Sequence, residues 1–314
     1  MSGQEPVQSL TNVAAYYDVL AGGRKRLDRE GPLLTECLRR APGRCVVDLA
    51  CGTGLHALFM AESGAEVTAL DTSAGMIAYA RANRPHPSVA YGVGDMRRLG
   101  GGPWDLALCL GNSLSLLPSV EDLSSVFQGV ASALRPGGLF LMQLLNYSAP
   151  SAQEPRHRVE RHRVAGEDLV VVKSLVPDDG RTLLSIVFHI ADKSHTAPRS
   201  MIESHIRAIV DTAVLRHWSS VNLREAAEAA GLCVTDEYGA FGRAPFEPSS
   251  SDLIVVAAKP RVADAAPTRR RSAAWQRQQV QARVRGSDPF QTPPANSNAR
   301  PNRGDSTSSN RLRR

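Results

Sequence analysis

The sequence lacks an uninterrupted apolar stretch of about 18 residues, so a membrane-spanning helix is not expected. It lacks a Cys-x-x-Cys pair. The five cysteines, Cys37, Cys45, Cys51, Cys109 and Cys233, are scattered and odd in number. That pattern argues against a disulfide framework and against a zinc site, and it fits reduced thiols in a cytoplasmic protein. No histidines accompany acids or cysteines at ligand spacing, so no metal is expected. The segment Met1 to Asn12 is polar and has no basic region leading into an apolar one, the pattern a secretory signal needs. No internal repeat is visible.

Hydrophobic residues make up 42% of the 314 residues, enough for a sizeable core. The formal charge of +6 is unevenly placed. Residues 261–314 hold twelve arginines, no lysine and three acids, so residues 1–260 are mildly acidic. The tail is Arg, Gln, Ser, Asn and Pro with few aliphatics. Such a composition buries too little surface to offset the entropy of ordering, and disorder is expected there. The tail reads as a solubilising extension first, with a weak nucleic-acid contact second.

The first half alternates strand and helix patterns. Short apolar runs stand at Arg44–Ala50, Glu66–Leu70, Val89–Tyr91, Trp104–Leu110 and Leu139–Leu145. Helical spacing falls between them at Leu55–Ser63, Ala74–Ala82 and Val120–Leu134. This alternation predicts an α/β fold with a doubly wound, mostly parallel sheet and helices on both faces. The second half changes character. Glu167–Val176, Arg181–Asp192 and Met201–Leu215 are β-branched with partial alternation, and Asp178-Asp-Gly180 is a turn signal. They predict a small antiparallel sheet inserted after the fifth strand. A helix capped by Ser219 or Ser220 and strands at Leu232–Ala240 and Asp252–Ala258 return the chain to the main sheet, making seven strands. The expected organisation is an N-terminal helical segment 1–43, a domain 44–260 with its insert at about 150–216, and the tail 261–314.

The chemistry concentrates in Val46-Val-Asp-Leu-Ala-Cys-Gly-Thr-Gly54. Here a strand enters a glycine turn that opens a helix. The backbone of Ala50, Gly52 and Gly54 can approach a ligand closely, and the helix N-terminus favours an anionic group. Asp71 follows the second strand, where a carboxylate can accept hydrogen bonds from ribose hydroxyls or cap the next helix. Gly94-Asp95-Met96 follows the third strand and can set a carboxylate and a thioether beside an adenine.

In this order Asp48-x-x-x-Gly52-x-Gly54, Asp71 and Asp95-Met96 resemble the class I S-adenosylmethionine-dependent methyltransferases. The resemblance covers roughly residues 14–145 and implies a Rossmann-like fold with S-adenosyl-L-methionine as cofactor. It places Asp48, Ala50, Gly52, Gly54, Asp71, Thr72, Met76, Asp95 and Met96 on the cofactor. A nicotinamide dinucleotide is the rival ligand. Position 57, where its fingerprint wants a third glycine, holds alanine.

A narrower likeness lies in Cys109-Leu-Gly-Asn-Ser-Leu-Ser-Leu-Leu-Pro118, Arg135-Pro-Gly-Gly-Leu139 and Asn146-Tyr147. These are similar to the glycine and sarcosine N-methyltransferase group. The likeness implies that Leu110 touches the cofactor and Asn112 faces the acceptor. Asn112 also follows the carboxyl end of a parallel strand, where ligands sit in open α/β sheets, and a loop-satisfying amide is the plainer role. Ala15-Tyr-Tyr-Asp18 and Arg24-Lys-Arg26 resemble that group's cofactor-covering segment, with Tyr17 and one arginine, Arg24 for instance, closing over the methionine end. Tyr147 is the expected acceptor-side hydroxyl. One departure matters. That group has an arginine before the Asn-Tyr pair to clamp an amino-acid carboxylate, and here Leu145 stands there. An apolar or neutral acceptor fits better, unless Arg156, Arg158 or Arg207 substitutes.

The expected activity is direct methyl transfer to a nitrogen or oxygen of a small molecule. The alternative is a non-catalytic cofactor binder docking on nucleic acid or an acidic partner through its tail. The folded domain is not expected to take a nucleic acid. The Asn/Asp-Pro-Pro-Tyr/Phe of base-amino methyltransferases is replaced by Gly111-Asn-Ser-Leu114. The oligomeric state is left open.

Overall fold

A computed structural model describes residues 14–20, 22–164, 167–191 and 206–261. The expected disorder of the tail beyond Arg261 and the side chain of Arg207 lie outside the described residues. The described residues belong to one compact unit of the chain, Met1–Thr268.

The N-terminal segment forms α1 (Ala14–Leu20) and α2 (Gly23–Arg40). Alternation then runs β1 (Cys45–Leu49), α3 (Leu55–Glu62), β2 (Glu66–Asp71), α4 (Ala74–Asn83), β3 (Val89–Val93), β4 (Trp104–Cys109), α5 (Val120–Ala133) and β5 (Leu134–Leu145). Next come β6 (Arg156–Val164), β7 (Glu167–Asp178), β8 (Arg181–Ala191) and β9 (Ile206–Arg216). The chain closes with α6 (Ser220–Ala229), β10 (Cys233–Tyr238) and β11 (Asp252–Ala258). Ser219 caps α6 in a capping box with Asn222, as the serine pair predicts.

The seven-stranded sheet has the order β10-β11-β5-β4-β1-β2-β3. Its strands are parallel except β11, which runs antiparallel to both neighbours. The expected fold class is what the chain adopts. Both faces are covered. Phe127, Phe140, Trp218 and Leu223 pack on one side, and Leu33, Met60, Ile77 and Ile254 on the other. Double burial explains why β4 is buried at every position and reads as a continuous apolar run from Leu106 to Cys109.

The insert is a separate four-stranded antiparallel sheet, β6-β7-β8-β9. It has one strand more than the sequence pattern predicts, because the basic stretch Arg156–Val164 pairs along its whole length with β7. The long polar side chains of β6 hide the alternation: it is an edge strand, largely exposed. One face of the insert packs against α1, where Tyr16 joins Leu169, Val171, Ile186, Phe188 and Ile190. The Tyr16 hydroxyl donates to Glu167 at 2.6 Å. This contact brings the insert over the carboxyl ends of the parallel strands.

Candidate active site

The site begins where β1 ends. Ala50, Gly52 and Gly54 all have positive φ (56°, 55° and 83°), so the backbone turns back on itself before α3 starts. Glycine is required at Gly54: a Cβ there would stand 2.7 Å from the Tyr91 ring. Asp71, at the end of β2, organises this loop. Its Oδ2 accepts from the Gly52 amide at 2.8 Å and its Oδ1 from the Ser73 amide at 2.8 Å. Ser73, rather than Asp71, caps α4, accepting from the Met76 amide at 3.3 Å. Asp71 is therefore fixed by backbone donors on both sides. Burial raises its pKa, and those two amides oppose the rise.

Asp48 lies inside β1, 1% exposed, and its Oδ2 has no hydrogen-bond partner. Burial and the nearby Asp71 charge push its pKa up to about 7. A buried carboxylate in that position is stabilised by an incoming cation.

The N-terminal helices close over the loop. The Thr53 hydroxyl and the Arg84 guanidinium both donate to Asp18 of α1, and Arg84 also donates to the Thr53 carbonyl at 2.7 Å. The same helix sets the Tyr17 ring 3.7 Å from where a Cβ on Gly52 would stand. Burial raises the Tyr17 pKa, Arg26 opposes the rise, and Asp71, Asp18 and Asp211 add to it. Arg24 is exposed. Arg26 is the arginine that turns inward, its Nη2 3.3 Å from the place of a Gly111 Cβ. Its Nε is held by buried Glu30 at 2.8 Å, and Glu30 also meets His56 Nε2 at 2.7 Å. Burial would raise the Glu30 pKa, but His56 and Arg26 outweigh it and hold it low. Sequence reasoning missed the Asp18 clamp and the Glu30 anchor, because their partners are 35 and 26 residues away.

On the other side of β1, Leu110 is 4% exposed at the end of β4. Asn112 has φ 68° and a fully engaged side chain. Its Nδ2 donates to the Tyr147 hydroxyl at 2.7 Å, and its Oδ1 accepts from the Leu145 amide at 2.9 Å and from Ser115 Oγ at 3.0 Å. Tyr147 stacks on His217 at 4.2 Å, and His217 Nε2 meets Thr182 Oγ1 at 2.8 Å. Asn112 and Tyr147 thus come together, joining the loop after β4 to the insert. Asp95 accepts from the Arg97 amide and guanidinium, with distances from 2.6 to 3.0 Å. Met96 lies 3.9 Å from the Cys109 thiol. Thr72 is exposed beside Asp71, and Met76 is buried in α4. Burial drives the Cys51 thiol far above its ordinary range, so it is not a ready nucleophile. Among the described residues no group of His, Cys, Asp and Glu is placed to hold a metal.

Residues 46–138, the segment from β1 into β5, match the family described as "Methyltransferase domain". By sequence, that segment is similar to a methyltransferase domain. The chain is 34% identical to the glycine N-methyltransferase of Oryctolagus cuniculus over 142 residues, 40% of this chain and 48% of that protein. It is 26% identical to the cypemycin N-terminal methyltransferase of a Streptomyces species, over 69% of this chain and 84% of that protein. The fold is shared with S-adenosylmethionine-bound CalS10, an amino pentose methyltransferase from Micromonospora echinaspora (TM-score 0.61, 20% identity, 82% of this chain and 100% of that one). The chain spans about half the length of the rabbit relative it matches. The methyltransferase cofactor, S-adenosylmethionine, suits the donor set found here: a sulfonium and an ammonium answer the unpartnered Asp48 carboxylate, and ribose hydroxyls answer Asp71.

Proposed function

We propose that this chain transfers a methyl group from S-adenosylmethionine to a nitrogen of a small-molecule amine. The observation that carries the proposal is the carboxylate pair at the glycine turn. Asp48 is buried without a partner for Oδ2, and Asp71 is locked to the Gly52 amide one strand away. In this reading Asp48 balances the cofactor's positive charge. Asp71 and the neighbouring Thr72 accept from the ribose. Ala50, Gly52 and Gly54 supply the close backbone. Met76, Asp95, Met96 and Leu110 bound the adenine side.

Tyr17 and Arg26 form the cover at the methionine end, with Arg26 taking the place that Arg24 was expected to fill. Asn112 and Tyr147 shape the acceptor side by fixing the loop after β4. The cofactor supplies an activated methyl whose departure leaves a neutral thioether. The protein's own work is then to exclude water, hold the two reactants in line and keep the amine unprotonated. The catalytic domain in this proposal is 44–260, covered by the helices of 1–43, with the insert choosing the acceptor. No described helix is long and apolar enough to cross a membrane.

Isothermal titration with S-adenosylhomocysteine tests the proposal. Wild-type protein is expected to bind in the micromolar range. Asp71→Ala is expected to weaken binding by about 1–3 kcal/mol, roughly 5- to 150-fold. A folded wild-type protein that binds no S-adenosylhomocysteine would overturn the proposal.

A further inference from the structure

Two of the charged residues on the face the insert turns toward the glycine turn line up across its inner strands. Lys173 of β7 pairs with Ile186 of β8, and Ile186 pairs with Asp211 of β9. Residues opposite one another in an antiparallel sheet point to the same side. Lys173, Ile186 and Asp211 therefore stand in one line across the sheet, on the side that buries Val171, Ile186 and Phe188. Strands are about 4.8 Å apart, so the backbones of the two charged residues are separated by about 10 Å over an apolar floor. Lys173 and Asp211 are half-buried, and among the described residues neither makes an ion pair. An uncompensated charge of each sign is costly at an apolar face unless a ligand answers it.

Their surroundings differ. Lys173 faces Arg158 across the β6 pairing, and Arg156 and Arg26 also lie close enough to destabilise its charge, as does burial; only Glu160 opposes them. That end is cationic. Asp211 sits at the Tyr17 end, next to the cover of the glycine turn. Burial raises its pKa and a hydrogen bond from the Thr212 amide opposes the rise.

We propose that Lys173 and Asp211 are the two poles of the acceptor subsite, Lys173 holding an anionic group and Asp211 holding the amine that is methylated. This rests on the methyltransferase reading above and narrows its substrate class to an amine that also carries a carboxylate or phosphate. It also answers the missing arginine at Leu145: the anion is held from the insert instead. The amine arrives as an ammonium. Asp211 accepts one of its protons, which frees the lone pair to form the new N–C bond. As that bond forms, the bond from the methyl carbon to sulfur breaks and its electrons stay on sulfur. The Asp211 proton then passes to solvent. Burial raises the Asp211 pKa, which suits it to this transfer.

Two matched pairs of acceptors test the proposal on the full-length chain. Triglycine and triglycinamide differ by a carboxylate. A dTDP-3-amino-3,6-dideoxyglucose and its free amino sugar differ by a diphosphate. The charged member of one pair is expected to be preferred by about tenfold or more in kcat/KM, and the pair that shows it identifies the anion. Lys173→Met is expected to remove that preference by raising KM for the charged member alone, a split that a folding defect would not produce. Asp211→Asn is expected to lower kcat about 100-fold while leaving S-adenosylhomocysteine affinity unchanged, and Asp211→Glu to restore part of the rate. The proposal is overturned if the wild type binds S-adenosylhomocysteine yet methylates neither charged acceptor. It is equally overturned if Lys173→Met keeps the preference or Asp211→Asn turns over at the wild-type rate. Absence of S-adenosylhomocysteine binding would instead sink the methyltransferase reading beneath it.

Discussion

The two sheets bury their residues by different rules. The seven-stranded sheet is covered on both faces, so most of β4 and of β11 is apolar regardless of alternation. The four-stranded sheet is covered on one. In β8 the even positions Thr182, Ile186, Phe188 and Ile190 are buried, while Arg181, Leu183 and His189 are exposed. Its open face carries Val159, Val176, Leu183, Val210 and Val214, all substantially exposed. The first sheet is thus a rigid frame in which any polar group stands out, as Asp48 does. The second can place charged residues on its inner face at the edge of the core, as it does with Lys173 and Asp211.

The largest expected effect tests the frame. Phe140 of β5 is fully buried and meets Phe127 edge-on with centroids 5.4 Å apart. Phe140→Ala should lower unfolding free energy by about 3–5 kcal/mol in urea titration. A loss below about 1 kcal/mol would show that this sheet tolerates cavities and is not the rigid frame described.

A smaller effect tests the polar exception. Because burial lifts the Asp48 pKa from the ordinary carboxylate range to about 7, the folded protein without ligand binds more protons than the unfolded chain between those values. The corresponding stability is complete below the unfolded pKa and is lost as pH rises through the folded one. Asp48→Asn should therefore stabilise the ligand-free protein at pH 8 by roughly 4 kcal/mol at most, with little gain at pH 4, while weakening S-adenosylhomocysteine binding. Thermal melts at the two pH values check this. A gain equal at both would show that Asp48 is not the residue responsible.

The smallest effects separate the two faces of the insert. Val171 is 1% exposed and Val210 61% exposed. The same Val→Thr change should cost about 1–3 kcal/mol at Val171, where a hydroxyl is buried, and stay within about 0.5 kcal/mol at Val210. Equal costs at both positions would mean that the outer face is also covered in solution.

Much of this was legible in the sequence. The βα alternation, the glycine turn and the acid after β2 are local patterns, set by backbone geometry within a few residues, and the sheet order follows from short right-handed connections. The insert was legible as an antiparallel sheet, though β6 was obscured because its charged edge carries no apolar period. At the site, Gly52, Gly54 and Asp71 come together as their spacing suggests. Asn112 and Tyr147 also meet, but hydrogen-bonded to each other and to the chain around them.

What the sequence determined by itself is the frame and the glycine turn, because both rest on short-range patterns. The tertiary structure alone decided that Arg26 rather than Arg24 turns inward, that Glu30 and Asp18 hold the cover down, and that Lys173 and Asp211 share one face. Those outcomes depend on contacts between residues far apart in the chain, and on strand register, where a shift of one position reverses which side chains face the core.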